Sequence, residues 1–221
     1  MREFNLFQDL PESKVSRPIT RTIQNRIIAS ERGQEYYDGD RDNGFGGYVY
    51  DGRWKPVAQR IIHEYGLKNN SSILHVGCDK GFLLYDLHKE FPKLYLRGLE
   101  LSNYALRNAP RSIYSDIRMG PWTWFPLPNS RFHFVIATGI YSLNLPDVIK
   151  CLKEIERVGQ GKSFITLGAF ETEEEEKLYR QWSLLGTTIL SKDDWREVLE
   201  HVNYTGDYWF TTATTLNLVS D

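Results

Sequence analysis

Residues 73 to 81, Ile-Leu-His-Val-Gly-Cys-Asp-Lys-Gly, decide the fold of this 221-residue chain. An apolar run, Ile73 to Val76, leads into Gly77 and Gly81, and an amphipathic segment, Phe82 to Glu90, follows. Glycine lets the backbone approach a ligand closely, and the start of a helix offers N–H groups that lack a partner within the helix. The stretch therefore predicts a strand, a ligand-binding turn and a helix; a tight strand-to-helix connection without a ligand is the alternative.

A carboxylate stands at the end of the next predicted strand. The strand Leu94 to Leu99 ends in Glu100, 23 residues after Gly77. Folds that bind adenosine place an acidic residue about 20 residues after the glycine turn, where it accepts hydrogen bonds from ribose hydroxyls. Glu100 is therefore predicted to contact a ribose, and an ordinary loop carboxylate is the alternative.

The order of these elements resembles the class I S-adenosylmethionine-dependent methyltransferases. The remaining matching elements are a helix from Ser102, a short strand ending at Ser115 and Asp116, a fourth strand over 131–138 and a fifth over 162–168. The resemblance covers roughly residues 54 to 170. It implies an α/β fold with a doubly wound, Rossmann-like, mostly parallel seven-stranded sheet and an antiparallel C-terminal strand.

The resemblance also implies S-adenosyl-L-methionine as cofactor and a set of contacts with it. Matched position by position, the contacts are Gly77, Cys78, Asp79 and Gly81 at the methionine end, Glu100 and Leu101 at the ribose, Asp116 and Ile117 at the adenine, and Thr138 at the edge of the transfer site. No metal is implied. The acceptor would be a small molecule.

The chain departs from the family pattern at three positions. His75 and His133 stand where the family usually carries acidic residues, and Asp79 stands where it usually carries glycine. The acidic residue at the first position helps to organise the contacts of the cofactor's ammonium, so its loss should weaken binding. Asp79 either replaces this charge, since Asp tolerates left-handed backbone, or points to water in a site that has drifted.

A stretch rich in glycine and aromatic residues, 35–54, precedes this core. Glycines permit tight bends, and aromatic side chains give contact area at low entropic cost, which favours a segment folded over a ligand. We interpret it as a lid, with a purely structural loop as the alternative. Together with residues 203–208 it resembles a bacterial subgroup of small-molecule methyltransferases. Its best site candidates are Tyr37, Asp38, Arg41, Tyr48 and Trp54.

The hydrophobic periodicity predicts further helices and a single domain. The predicted helices are 19–32 with Ile23, Ile27 and Ile28 on one side, 54–65, 146–158, one capped by Thr172 and one capped by Ser191. A long final strand should follow Gly206. Residues 1–53 would form an irregular leader, a helix and the lid, and residues 54–221 the nucleotide-binding core.

Composition narrows the classes of function. The net charge of −2 and the pI of about 6.2 give no basic field for nucleic acid. Cys78 and Cys151 do not form a disulfide framework, which fits the cytoplasm. No apolar run reaches the roughly 20 residues that span a bilayer. We expect neither nucleic acid nor membrane as a partner, and the chain could form a homodimer.

The candidate catalytic groups follow the fourth predicted strand. Thr138, Tyr141 and Ser142 lie near the expected transfer point, but none is a good base at neutral pH, and Asp38 of the lid is a further candidate. The Asn/Asp-Pro-Pro-aromatic motif of many amine methyltransferases is absent, which favours oxygen or carbon acceptors. The sequence thus predicts an enzyme that methylates a small polar metabolite, such as a sugar or sugar nucleotide. The alternative is a catalytically impaired methyltransferase-fold protein that acts through binding.

Overall fold

The computed structural model describes residues 1–10 and 21–218. Its helices are α1 (Ile23–Ser30), α2 (Gln34–Tyr37), α3 (Lys55–Glu64), α4 (Phe82–Glu90), α5 (Asn103–Arg107), α6 (Leu145–Val158), α7 (Glu173–Trp182) and α8 (Lys192–His201). Its strands are β1 (Ser72–Val76), β2 (Tyr95–Glu100), β3 (Ile117–Met119), β4 (Phe134–Ala137), β5 (Ser163–Phe170), β6 (Leu190–Ser191) and β7 (Asp207–Thr211).

The strands form one seven-stranded sheet with β1 near its centre. The order is β3-β2-β1-β4-β5-β6, and β7 also pairs with β5. Each of the described pairings is parallel, with Val76 of β1 opposite Leu99 of β2 and Ala137 of β4. Parallel strands bring their carboxyl ends to one edge, where doubly wound folds bind ligands. The predicted Rossmann-like class is confirmed.

The predicted antiparallel orientation of the last strand is wrong. β7 runs parallel to β5 over Phe164–Gly168, and β6 pairs with the following two residues of β5. The reason is α8, which follows β6 and carries the chain back to the amino end of the sheet before β7 begins. The strand is also shorter than predicted, since residues 213–217 form turns.

Helices cover both faces of the sheet and hold β1 between them. All five residues of β1 are buried, as expected for a strand with no solvent face. Leu74 and Val76 belong to the core that includes α6 and α8, whereas Ile73 belongs to the core that includes α3 and α4. The turn after β1 therefore begins from a fixed position.

The N-terminal residues pack in a way that the apolar pattern does not predict. α1 begins at Ile23, and residues 19 and 20 of the predicted helix lie outside the described part of the chain, as do residues 11–18 of the predicted leader. Ile23 and Ile27 are 74% and 49% exposed, so their side of the helix is not buried. Instead, Arg26 donates to the carbonyl of Arg180 at 2.6 Å, and so satisfies a free carbonyl near the end of α7.

Residues 1–10 pair with the edge of the sheet. The Phe4 N–H donates to the Tyr208 carbonyl at 2.9 Å, and the Tyr208 N–H donates to the Arg2 carbonyl at 3.0 Å. Phe7 packs against Phe164 and Trp54, with ring centroids 5.4 and 6.0 Å away. None of the described helices has the length and hydropathy that crossing a membrane requires.

Candidate functional site

The turn after β1 has left-handed backbone at three residues. Gly77, Asp79 and Gly81 have φ angles of +72°, +50° and +76°. A Cβ at Gly77 would lie 2.7 Å from the Thr138 carbonyl oxygen, so glycine is required there. Asp79 adopts the left-handed conformation that its residue type tolerates. The predicted strand, turn and helix are confirmed, with α4 spanning the predicted residues Phe82–Glu90.

Glu100 lies at the end of β2 and is 1% exposed. Its Oε1 accepts from the N–H groups of Leu101 and Ser102, and its Oε2 accepts from the Asp79 N–H, each at 2.8 Å. A carboxylate has about four acceptor positions, so about one is left for a ribose hydroxyl. The carboxylate lies where the sequence predicts it, beside the glycine turn. Its contact with a ribose stays a prediction.

The Asp79 carboxylate turns inward. Its Oδ1 accepts from the Tyr37 hydroxyl at 2.8 Å, and the residue lines a cavity. Burial, followed by the neighbouring Glu100 carboxylate, raises the pKa of Asp79 to about 7, although the Tyr37 hydroxyl and the Arg32 charge act in the opposite direction. Asp79 thus turns towards Tyr37 and the cavity, and its role as the replacement charge stays a prediction.

His75 is buried behind the site and carries no charge near neutral pH. Burial lowers its pKa to about 3. Its Nε2 lies 3.3 Å from the Thr138 Oγ1, and its Nδ1 has no hydrogen-bond partner among the described residues. A neutral imidazole does not replace the acidic residue that the family carries at this position.

Lys80 fixes the predicted lid to the glycine turn. The residue is 5% exposed, and its ammonium donates to both Asp38 oxygens at 2.7 Å and to the Tyr48 carbonyl at 2.8 Å. The rings of Tyr37, Tyr48 and Tyr104 have their centroids 5.7 to 6.0 Å from the same ammonium. The segment 35–54 therefore packs onto the turn through Lys80.

Asp38 anchors the lid and does not face the cavity. Besides Lys80, it accepts from the Tyr104 hydroxyl at 2.7 Å and from the Tyr48 N–H at 3.1 Å. Burial alone would raise its pKa, but the Lys80 and Tyr104 hydrogen bonds hold the pKa below its usual value. With its oxygens bonded in this way, the prediction of Asp38 as a catalytic base is wrong.

A cavity of about 360 Å³ lies at the carboxyl ends of β1, β4 and β5. It brings together several predicted site residues, namely Gly77, Asp79, Thr138, Tyr141, Ser142, Arg41 and Trp54. The predicted lid residues Tyr37 and Tyr48 do not line the cavity, and their rings pack against Phe45. Tyr36 and Phe45 of the same segment line the cavity instead. The lid sequence identified the segment but not which of its side chains turn inward.

The hydroxyl groups that border the cavity are poor bases. Burial raises the pKa of Tyr141. The Ser142 Oγ accepts from the Arg32 guanidinium at 3.0 Å. Thr138 contacts the neutral His75. The expectation that these three residues supply no strong base at neutral pH agrees with their surroundings, and their catalytic roles stay predictions.

The structure does not bring Asp116 to the site. A helical turn, Tyr114–Asp116, precedes β3, so the strand begins where the sequence predicts its end. The register pairs Glu100 with Met119 and Gly98 with Ile117, which leaves Asp116 at the amino end of β3, paired with Arg97 at 2.7 Å. Ile117 is buried in the core. The prediction that Asp116 and Ile117 contact the adenine is therefore wrong.

Arg32 is a site residue that sequence reasoning missed. Its carbonyl accepts from the Ser102 hydroxyl at 2.6 Å, its guanidinium donates to Ser142, and the guanidinium carbon lies 5.4 Å from the centroid of the Trp122 ring. Ser102 follows β2 and Ser142 follows β4, so Arg32 crosses above the carboxyl end of β1. An arginine after a helix has no sequence signal for such a position. Lys80 and Trp122 were also missed, because their contacts are with residues distant in the chain.

Solved structures of other proteins superpose on this fold. The YcgJ protein of Bacillus subtilis superposes with a TM-score of 0.54 over 66% of each chain, at 14% identity. A SAM-dependent methyltransferase of Methanosarcina mazei gives a TM-score of 0.51 over 64% of this chain and 82% of that chain, at 18% identity. The chain has the class I methyltransferase fold.

A sequence relative points to the same class of protein. The chain is 29% identical over 126 residues to YdaC of Bacillus subtilis, which is described as an uncharacterized methyltransferase. The match covers 55% of this chain and 69% of the relative. No family model matches the sequence. The resemblance to the class I methyltransferases that the sequence predicts is confirmed.

Proposed function

We propose that the protein is an S-adenosylmethionine-dependent methyltransferase that acts on a small polar metabolite, such as a sugar or sugar nucleotide, at oxygen or carbon. One observation carries the proposal: a left-handed glycine turn and a buried carboxylate stand side by side at the carboxyl ends of β1 and β2. Gly77 and Asp79 of the turn line a cavity of about 360 Å³, the size of a small-molecule site.

The residues of the turn fit this cofactor in most respects. Gly77 has no Cβ, which at this position would collide with the Thr138 carbonyl oxygen. The Glu100 carboxylate has about one acceptor position free. Gly77, Asp79 and Glu100 would hold the cofactor. When bound, it supplies a methyl group already activated by the sulfonium.

The rest of the site would exclude water and orient the acceptor. The aromatic residues Tyr36, Phe45 and Trp54 cover the cavity from the lid side, and Lys80 holds the lid in place. Because the hydroxyl groups that border the cavity are poor bases, acceleration would come mainly from the approach of the acceptor and the exclusion of water. Two buried free cysteines, Cys78 and Cys151, are compatible with a reducing cytoplasm.

A second candidate function is ligand binding without methyl transfer. His75 is neutral, and Arg32 crosses above the carboxyl end of β1, where the cofactor would lie. Both features would weaken cofactor binding unless Arg32 moves aside. In this case the fold would serve as a binding module.

Calorimetric titration with S-adenosylmethionine and S-adenosylhomocysteine tests the first function. We expect both to bind, and we expect mass spectrometry of the purified protein to detect one of them carried over from the cell. Binding without turnover of any acceptor would favour the second function. If neither ligand binds at millimolar concentration, the methyltransferase proposal fails.

A further inference from the structure

The cavity beside the turn carries an excess of positive charge. Three arginines, Arg21, Arg32 and Arg41, line it, and Asp79 is the one carboxylate among the described residues of its lining. Burial and Glu100 raise the pKa of Asp79 to about 7, so this carboxyl is partly neutral at physiological pH. The whole chain has a net charge of −2, so the excess is local to the cavity.

Two of the three guanidinium groups already have structural partners. Arg21 donates from Nη1 to the Arg41 carbonyl at 2.7 Å, and its side chain is 1% exposed. It thereby holds the lid against the end of α7, where its Nε faces the Trp182 carbonyl at 3.4 Å. Arg32 donates to Ser142. These two arginines shape the cavity and add positive charge to it.

Arg41 has donors to spare. Its Nη1 donates to the Gly44 carbonyl, while its Nε and Nη2 bond to no acceptor in the described part of the chain. Its charge also acts on Arg21, whose nearest counter-charge is the Asp42 carboxylate, 3.6 Å away and 63% exposed. The carboxylates that act on Arg21, Asp42 and Asp40, are both exposed to solvent. Two adjacent guanidinium groups whose counter-charges are solvated attract an anion, and the planar fork of Arg41 suits a carboxylate or phosphate.

The walls of the same cavity are flat and rich in donors. Tyr36, Phe45, Trp54 and Trp182 present aromatic surface, which favours contact with a planar ring. The indole N–H groups of Trp122 and Trp182 are buried without an acceptor among the described residues. A lining with surplus donors and few acceptors complements a ligand rich in acceptors.

We propose that the methyl acceptor is an anionic small molecule, with a carboxylate or phosphate on a ring-shaped body, and that Arg41 binds its anionic group. The inference rests on the proposed function and names the substrate class of the same site. It narrows the acceptor from polar metabolites in general to those that carry a negative charge.

A pair of probes of equal shape tests the charge requirement. The carboxylate 4-hydroxybenzoate and its neutral amide, 4-hydroxybenzamide, are titrated by calorimetry with and without S-adenosylhomocysteine, at low and high salt. We expect the carboxylate to bind about tenfold tighter or more, with a preference that declines as salt is added. Equal affinities, or no binding of either probe at millimolar concentration, would overturn the proposal.

Variants of Arg41 test the assignment of the residue. Arg41→Gln should abolish the preference for the carboxylate, whereas Arg41→Lys should keep part of it. Arg21 binds the backbone carbonyl of Arg41, so neither substitution removes that contact. Arg53→Gln is the matched control, because Arg53 lies in the same segment, pairs with Asp51 and is 57% exposed. An unchanged preference in Arg41→Gln, with unchanged thermal stability, would contradict the assignment.

The same titrations separate this inference from the proposed function. Binding of S-adenosylhomocysteine without a carboxylate preference would overturn the inference and leave the methyltransferase proposal intact. A carboxylate preference without any cofactor binding would overturn the assignment of the pocket to a methyl acceptor.

Discussion

At the scale of single residues, the site is dominated by two neighbouring carboxylates. The Asp79 N–H donates to Glu100, and burial raises the pKa of both side chains. Three backbone N–H groups bond to the Glu100 carboxylate, whereas Asp79 receives the Tyr37 hydroxyl. Glu100 is the better stabilised anion, so Asp79 is the carboxyl that should respond to pH and to a cationic ligand.

The raised pKa of Asp79 predicts a pH dependence of stability. The pKa of Asp79 is about 7 in the folded protein and near 3.8 in the unfolded chain. Protonation of Asp79 therefore favours the folded state, and its full contribution to the free energy of unfolding is present below the lower of these two values. It is lost as pH rises from about 4 to 7. Urea unfolding of wild type and Asp79→Asn across this range should show a difference in free energy of unfolding that changes with pH. Parallel curves would show that Asp79 has an ordinary pKa.

Asp79 should also determine the affinity for the cofactor's ammonium. If its carboxylate is the counter-charge, Asp79→Gly weakens S-adenosylhomocysteine binding although it restores a family-like glycine, and wild-type affinity rises as pH increases through about 7. Asp79→Asn is the control that can still accept from Tyr37 without the charge. Calorimetric titration at two salt concentrations measures all three proteins. Tighter binding by the glycine variant would indicate a drifted site.

Replacement of Glu100 should affect both cofactor binding and folding. Glu100→Ala leaves three backbone N–H groups without their acceptor, so we expect destabilisation of about 2 kcal/mol or more and a weakening of S-adenosylhomocysteine by about tenfold. Glu100→Gln keeps one oxygen acceptor and should be milder on both counts. Thermal melts and calorimetry measure the two effects. An unchanged affinity in folded Glu100→Ala would place the ribose elsewhere.

At the scale of elements, the lid and the glycine turn form one unit. Lys80 of the turn bonds to Asp38 and Tyr48 of the lid, and Tyr37 of the lid bonds to Asp79 of the turn. A ligand that displaces Asp79 or the turn backbone would therefore also act on the lid. The contacts give a physical route by which cofactor binding could order residues 35–54.

The Lys80 contacts predict how the lid responds to mutation. Lys80→Met keeps an apolar stem among the tyrosine rings but removes three hydrogen bonds, so hydrogen exchange in residues 35–53 should accelerate markedly. Cofactor should slow exchange there in the wild type. Lys150→Met, at a lysine that is 60% exposed and bonded to Asp147, is the control. Equal hydrogen-exchange rates in wild type and Lys80→Met, or rates that the cofactor does not slow, would show that the segment is a purely structural loop.

At the scale of the whole molecule, local sequence patterns predicted the sheet, its helices and the turn well. β1 was recognisable from continuous apolar residues, α4 from periodicity after a glycine, and α6 from its proline and terminal glycine. Each of these signals depends on neighbouring residues, so the sequence alone contained the information. The position of Glu100 beside the turn followed from the parallel order of the strands.

The sequence by itself therefore determined the class I methyltransferase fold and the turn that the proposed cofactor site requires. Only the tertiary structure decided that β7 runs parallel to β5, that Asp116 lies at the far end of β3 and that Asp38 bonds to Lys80. It also placed Arg32 and Arg41 in the cavity. These features depend on contacts between residues distant in the chain, whose partners become defined only when the helices and strands have packed together.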